Sequence, residues 1–206
     1  RESSIICDYL DDLTLGPALK PKDPVARAHL REWIKDSDES GYQATASLNF
    51  VTKFRLEIPR KKMVERWKKV PDIDRLHRQQ SCVFEGLKSP YVLRAIGAWE
   101  RIFKKMEATL SDGRPWIMGE QFTLVETTSA PFVKVLEMLR VLHLWLDGRP
   151  NVQRWWESIT VRRSYKELEE YPGQREDDDA PHAKAGAAVA NKIRELLEHY
   201  RTTIPQ

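Results

Sequence analysis

Apolar residues recur at intervals of three and four along most of the chain, and no strand-length run alternates apolar with polar. Residues 3–10, SSIICDYL, predict a short helix with a Ser start, followed by a loop over 11–22 containing Gly16, Pro17 and Pro21. Asp23-Pro24 then marks a helix start, Asp as N-cap and Pro at the first helical position. From it runs a long stripe of Leu30, Trp33, Ile34, Ser37, Gly41, Ala44, Leu48 and Val51. Pro59 and Pro71 bracket the basic run RKKMVERWKK at 60–69, which reads as an exposed short helix or connector. A second stripe, Tyr91, Val92, Ala95, Ile96, Trp99, Ile102, Phe103, Met106 and Leu110, ends in the stop signal Ser111-Asp112-Gly113. Residues 123–142 are apolar on nearly every side, which predicts the most buried helix, at the centre of a bundle. Another helix carries Val152, Trp155, Trp156 and Ile159. The stretch REDDD at 175–179 reads as solvated linker, and a last amphipathic stripe runs Val189, Ile193, Leu196, Leu197 and Tyr200. The pattern predicts an all-α bundle without internal repeats.

Composition narrows this picture rather than changing it. The net charge is +3, from 34 basic and 31 acidic residues, too balanced to argue for nucleic acid or an anionic membrane as partner. Within the basic run only Trp67 interleaves, so no stacking platform for single-stranded nucleic acid is expected. Two cysteines, Cys7 and Cys82, make no disulfide framework and favour a reducing compartment, the cytoplasm. No apolar run approaches the roughly 18 residues of a membrane span.

The candidate chemistry is sparse. Thr123-Leu124-Val125-Glu126 fits a capping box, with Phe122 in the place of a hydrophobic staple residue but Thr127 as its weak partner. Its work is structural: it starts a helix. Glu2-Ser3 stands at the start of the first helix, where free N–H groups and a partial positive charge favour an anion. A Ser hydroxyl can donate to a carboxylate and a Glu can pair with an ammonium, so the two could hold the α-amino acid end of a peptide. An ordinary capped helix start explains the same two residues. Ser37, Gly41 and Ala44 share a face of the long helix, which admits close approach by another helix, a subunit or a ligand; a mid-helix Gly costs about 1 kcal/mol against Ala. Cys7, after Ile5-Ile6, reads as buried and inert. There is no dinucleotide or phosphate-binding glycine motif and no HExxH metal site, and the five histidines are scattered.

Four segments, in order, resemble the glutathione transferase family. Glu2 through Leu10 resembles the last helix of its thioredoxin-like half, where a Glu-Ser pair binds the γ-glutamyl group of glutathione. Leu19-Lys20-Pro21-Lys22-Asp23-Pro24, with Arg27, Ala28, Arg31 and Trp33, resembles the opening of its all-helical half. Trp116-Ile117-Met118-Gly119 through Glu126, with Pro131, resembles its capping-box helix, and Pro150-Asn151-Val152, Trp155 and Arg162-Arg163-Ser164 its late helix. Within the family, ESSIICDYLDD and KVPDIDRLHRQQ look most like bacterial β-etherase-type enzymes, which cleave aryl ethers. Glu126 stands where the family usually has Asp, and Arg163 where it usually has Pro. The resemblance implies residues 1–15 as a remnant of the thioredoxin-like half, 20–170 as the helical domain and 171–206 as an acidic linker with a final helix outside the match. It also implies glutathione as co-substrate bound by Glu2 and Ser3, no metal, and a homodimer when full length. The implied reaction joins glutathione to an apolar or aromatic electrophile, or uses it to break an ether. Ser37, Gly41 and Ala44 are candidates for the electrophile pocket, Thr123 and Glu126 for the structural capping box, and the thiol-activating residue is assigned to none of these segments. The alternative is a non-catalytic interaction module, as such helical domains also serve in translation factors and aminoacyl-tRNA synthetases.

Overall fold

The computed structural model describes residues 2–13, 16–171 and 180–203. Among them there are helices and turns and no strand, only an isolated bridge between Trp116 and Gly119 in a loop. The acidic run at 175–179 lies outside the described residues.

Helix α1 (Ser3–Asp12) is latched to the next segment by its acidic last turn: Asp11 accepts from the Leu19 N–H at 2.6 Å, and Lys20 Nζ bonds Asp12 at 2.6 Å and Asp8 at 3.0 Å. The Asp23 carboxylate then accepts from the Ala26 N–H at 2.7 Å and opens α2 (Pro24–Asp36), as Asp-Pro predicts. The long stripe forms a continuous helical rod over residues 24–57, but not a uniform one. Two π segments, Ser37–Gly41 and Phe50–Phe54, separate α2, α3 (Tyr42–Asn49) and α4 (Arg55–Glu57). Each widens the rod by one residue per turn, a feature that often marks functional or strained sites.

The basic run forms α5 (Arg60–Trp67), exposed except for Met63 and Trp67. Helices α6 (Ile73–Glu85) and α7 (Pro90–Thr109) follow, α7 burying Val92, Ile96, Trp99, Phe103 and Met106 in the middle of the bundle. Gly113, at φ +91°, ends the extension of α7, the left-handed position the Ser-Asp-Gly signal calls for. Acids on α7 hold the later elements. Glu107 accepts from the N–H groups of Asn151 and Val152, at 3.3 and 3.0 Å, and so caps α10 (Pro150–Thr160). Glu100, buried, pairs with Arg149 and, at 3.0 Å, with Arg201.

Helix α8 (Leu124–Met138) departs from expectation. It stops at Met138, and Arg140 turns the chain at φ +56°, before the short α9 (His143–Leu146). Nor is it enclosed all round: Leu124, Val125, Val133 and Leu136 are buried, whereas Thr127, Ala130, Pro131 and Lys134 face an open cavity. The apolar content of 123–142 is shared between a helix with one open flank and a buried turn of Leu139, Val141 and Leu142. Beyond α11 (Arg163–Lys166), helices α12 (Ala180–Ala187) and α13 (Ala190–Thr203) return to the bundle. Ile193, Leu197 and Tyr200 are buried, and Gly97 on α7 leaves the space that the Tyr200 ring fills.

Candidate functional site

A cavity of about 1450 Å³ opens between α1, the loop at 16–22, the open flank of α8, the α10–α11 junction and α12. Its wall is mostly apolar, with Leu10, Ala130, Val135, Met138 and Ile159. The capping box fixes one edge. The Thr123 hydroxyl accepts from the Val125 N–H at 3.3 Å and donates to Glu126 at 2.8 Å, while the Glu126 carboxylate accepts from the Thr123 N–H at 2.9 Å. The other Glu126 oxygen accepts from the Ile117 N–H at 2.8 Å, so the acid anchors the 116–119 turn as well as the helix. Burial pushes the Glu126 carboxyl above its ordinary range, and these hydrogen bonds pull against that shift. The Leu124 N–H donates to the Leu19 carbonyl at 3.1 Å, holding the 16–22 loop against the same helix end.

Polar groups also line the wall. Lys134 Nζ on α8 donates to the Tyr165 hydroxyl at 3.1 Å, and that hydroxyl donates to Glu137 at 3.2 Å. The second Glu137 oxygen accepts from the Trp156 indole N–H at 2.8 Å. The Arg162 guanidinium lies 3.8 Å from the Phe122 ring centroid and 5.5 Å from that of Trp116, and its buried Nε–H has no partner among the described residues. His182 on α12 is held neutral by burial and by the Lys53 ammonium 3.3 Å away, against a weaker pull from Glu57.

The sequence candidates fall in three places. Glu2 and Ser3 are exposed at the start of α1, and Glu2 has φ +62°, a left-handed value rare for a residue with a side chain. Among the described residues no side chain caps α1, so Ser3 does not act as the capping residue of an ordinary helix start. Ser4, the next residue, is buried and donates to Asp38 at 2.6 Å, tying α1 to the first π segment. Ser37, Gly41 and Ala44 are buried in helix seams and do not line the cavity. Ser37 bonds Ser129 of α8 at 2.7 Å, and Gly41 faces Phe132 and Ile102. Their small size serves helix packing. Thr123 and Glu126 form the capping box as expected. Cys7 differs from expectation: it is half-buried on the cavity wall, and burial pushes its thiol up, which keeps it protonated and poorly nucleophilic.

Lys134, Glu137, Tyr165 and His182 were not singled out by sequence. A signal was present: Lys134 and Glu137, three apart, interrupt an otherwise apolar helix.

Residues 73–162 match the family model described as glutathione S-transferase, C-terminal domain. That segment is similar to the C-terminal domain of glutathione S-transferases. Among solved structures it is similar to the crystal structure of beta-etherase LigF from Sphingobium sp. strain SYK-6, with a TM-score of 0.68 at 20% identity, over 82% of this chain and 73% of that one. At that identity the likeness shows the fold. No curated protein matches. The matched residues run from α6 through α10, and the similar fold extends over most of the described helices.

Proposed function

We propose that this domain works in a glutathione-dependent enzyme, supplying the apolar wall against which an aromatic electrophile is held for conjugation or ether cleavage. The observation that carries the reading is the position of α1. The Glu2-Ser3 pair stands at its start, and one to two turns later Cys7 and Leu10 line the cavity. At 1.5 Å of rise per residue, Glu2-Ser3 lies about 6–10 Å along α1 from that wall, a spacing that supports a glutathione end beside an electrophile wall. The strained backbone at Glu2 supports it, because a left-handed non-glycine costs of order 1–3 kcal/mol and such strain clusters at ligand clamps.

Thiol activation is assigned to a thioredoxin-like half. Two features support such a half docking here. The cavity exceeds the roughly 300–1,000 Å³ of small-molecule pockets, leaving room for a polypeptide wall as well as a ligand. Helix α1 also turns Ile5 and Tyr9 outward, 64% and 60% exposed, apolar surface that a docking half would cover. The homodimer and the cytoplasmic location that the resemblance implies belong to the same proposal.

The test is calorimetry with glutathione and turnover of an aryl halide and an aryl ether, on the 206-residue chain and on the protein with any thioredoxin-like segment encoded ahead of Arg1 included. The reading predicts micromolar affinity and turnover only with that segment. Micromolar affinity of the 206-residue chain alone would place the glutathione site elsewhere. Absence of glutathione binding in both preparations would favour the interaction module.

A further inference from the structure

A smaller cavity, of about 70 Å³, lies between the rod, α6 and α7 and shares no lining residue with the larger one. Small side chains leave the space where α3 packs on α7: Ala44 and Ser47 on one helix, Ala95 and Ala98 on the other, all buried. The charged residues that line it are Arg78 of α6, Arg94 and Arg101 of α7, and Glu39 of the first π segment. Glu39 is engaged by Lys35 Nζ at 2.7 Å, one turn back along the rod. Among the described residues none of the three guanidiniums makes an ion pair. Arg78 donates to the Gln43 amide oxygen at 3.0 Å, Arg101 to the Tyr200 hydroxyl at 3.1 Å, and Arg94 has no hydrogen-bond partner there.

The uncharged lining favours an acceptor too. The Gln43 amide oxygen is taken by Arg78, which leaves the NH₂ group of the same amide to donate, and the Ser40 hydroxyl adds a donor. Three like charges around so small a space repel one another, and the one acid beside them is engaged elsewhere; an anion set between them turns that repulsion into attraction. Guanidinium forks match the oxygens of carboxylate and phosphate. The donors come from three helical elements, so they approach from different sides. A carboxylate offers two oxygens on one edge. A phosphate group offers three, with a charge near −2 at neutral pH, and is the better match. The volume sets the size: it exceeds the share of one water, about 30 Å³, and falls well short of the roughly 300–1,000 Å³ of pockets that enclose a whole small molecule. The space admits an anionic group and leaves the rest of its bearer outside.

We propose that this notch binds a phosphate group, held by Arg78, Arg94 and Arg101 with Ser40 and Gln43 as further donors. The site is separate from the electrophile cavity and does not depend on the glutathione reading. Inorganic phosphate and a small phosphomonoester offer the same chemistry, and the experiment distinguishes them.

The experiment uses the protein with any segment encoded ahead of Arg1 included. Inorganic phosphate, glycerol 3-phosphate and acetate are titrated calorimetrically at one ionic strength, held with sodium chloride. Phosphate is expected to bind at least tenfold more tightly than acetate. Arg78→Met and Arg94→Met should each weaken it about tenfold to hundredfold, the loss of a hydrogen bond to a charged group. Arg94 has no partner to lose, so its variant should keep the wild-type melting temperature in the absence of phosphate, and it carries the test if Arg78→Met folds poorly. Arg101 is left intact because it also holds Tyr200. Lys61→Met, on the basic helix α5 and outside the notch, should leave phosphate affinity unchanged. Glycerol 3-phosphate binding at least as tightly as phosphate would assign the notch to an ester, and phosphate binding alone would assign it to the free ion. Equal affinity for phosphate and acetate, or an equal loss in Lys61→Met, would reduce the effect to diffuse charge attraction and overturn the site. No phosphate binding, with a dimer that Arg94→Met dissociates in sedimentation, would give the notch to an acidic side chain of a second copy and overturn it as well.

Discussion

Replacing Gly97 by Ala tests how the last helix joins the bundle. A Cβ on Gly97 would lie 2.3 Å from Tyr200 Cε2 and 2.6 Å from Cζ, more than 1 Å inside ordinary contact. The Tyr200 ring is buried, and its hydroxyl accepts from Arg101 at 3.1 Å, so it has little freedom to swing aside. Overpacking of this kind costs about 1–3 kcal/mol, and the near-complete overlap argues for the upper end. Against it stands the helix preference of Ala over Gly, about 1 kcal/mol in the middle of α7. The net is a loss of about 1–2 kcal/mol. In a Tyr200→Ala background the clash is gone and only the propensity remains, so Gly97→Ala should stabilise by about 1 kcal/mol. The sign reverses, with a coupling of about 2–3 kcal/mol, at the top of the range for residues in contact. Urea unfolding of the four proteins of the cycle measures it. Equal effects of Gly97→Ala in both backgrounds would refute the packing of α13 on α7.

Two further stability predictions follow from buried acids. Glu100→Gln should cost about 3 kcal/mol, because it leaves the Arg149 and Arg201 charges facing an amide, and should lower the melting temperature by about 6–12 °C. Burial pushes the Glu100 carboxyl up, but the hydrogen bonds from Arg201 and Arg149 outweigh it and hold the group below the ordinary carboxylate range. A depressed folded-state pKa contributes stability above the unfolded value and loses it as pH falls through the folded one, so wild-type stability should decline on the acid side and Glu100→Gln should decline less; parallel pH–stability curves would refute this. Glu126→Ala strips the buried N–H groups of Ile117 and Thr123 of their acceptor and should cost about 3 kcal/mol by thermal unfolding, whereas a loss under 1 kcal/mol would mean the 116–119 turn finds other partners.

What the sequence revealed was local. Asp23-Pro24, Ser111-Asp112-Gly113 and Thr123 through Glu126 each act within one turn, so residue type and spacing suffice, and the structure shows each doing its work. The stripe from Leu30 to Val51 marked the buried face, yet not the π segments at 37–41 and 50–54, since one extra residue per turn hardly disturbs apolar spacing over so short a stretch. The all-apolar reading of 123–142 failed because hydropathy cannot distinguish a flank buried in this bundle from one left for another body to cover. The partners of Glu100 lie 49 and 101 positions away, and those of Lys134 reach 31 positions on, so neither cluster could be assembled without the fold. The stripe ending at Tyr200 was visible, but its seat on Gly97 was not.

The central proposal is that the start of α1 holds glutathione, and Glu2→Ala and Ser3→Ala, in the protein with any segment encoded ahead of Arg1 included, test it most directly. Glutathione affinity by calorimetry and melting temperature are measured side by side on both variants. The account predicts a tenfold to hundredfold loss of affinity in each, from one hydrogen bond to a charged group worth about 1.5–3 kcal/mol, with the melting temperature unchanged, because both side chains are exposed and neither caps the helix. A lowered melting temperature with wild-type glutathione affinity would contradict it.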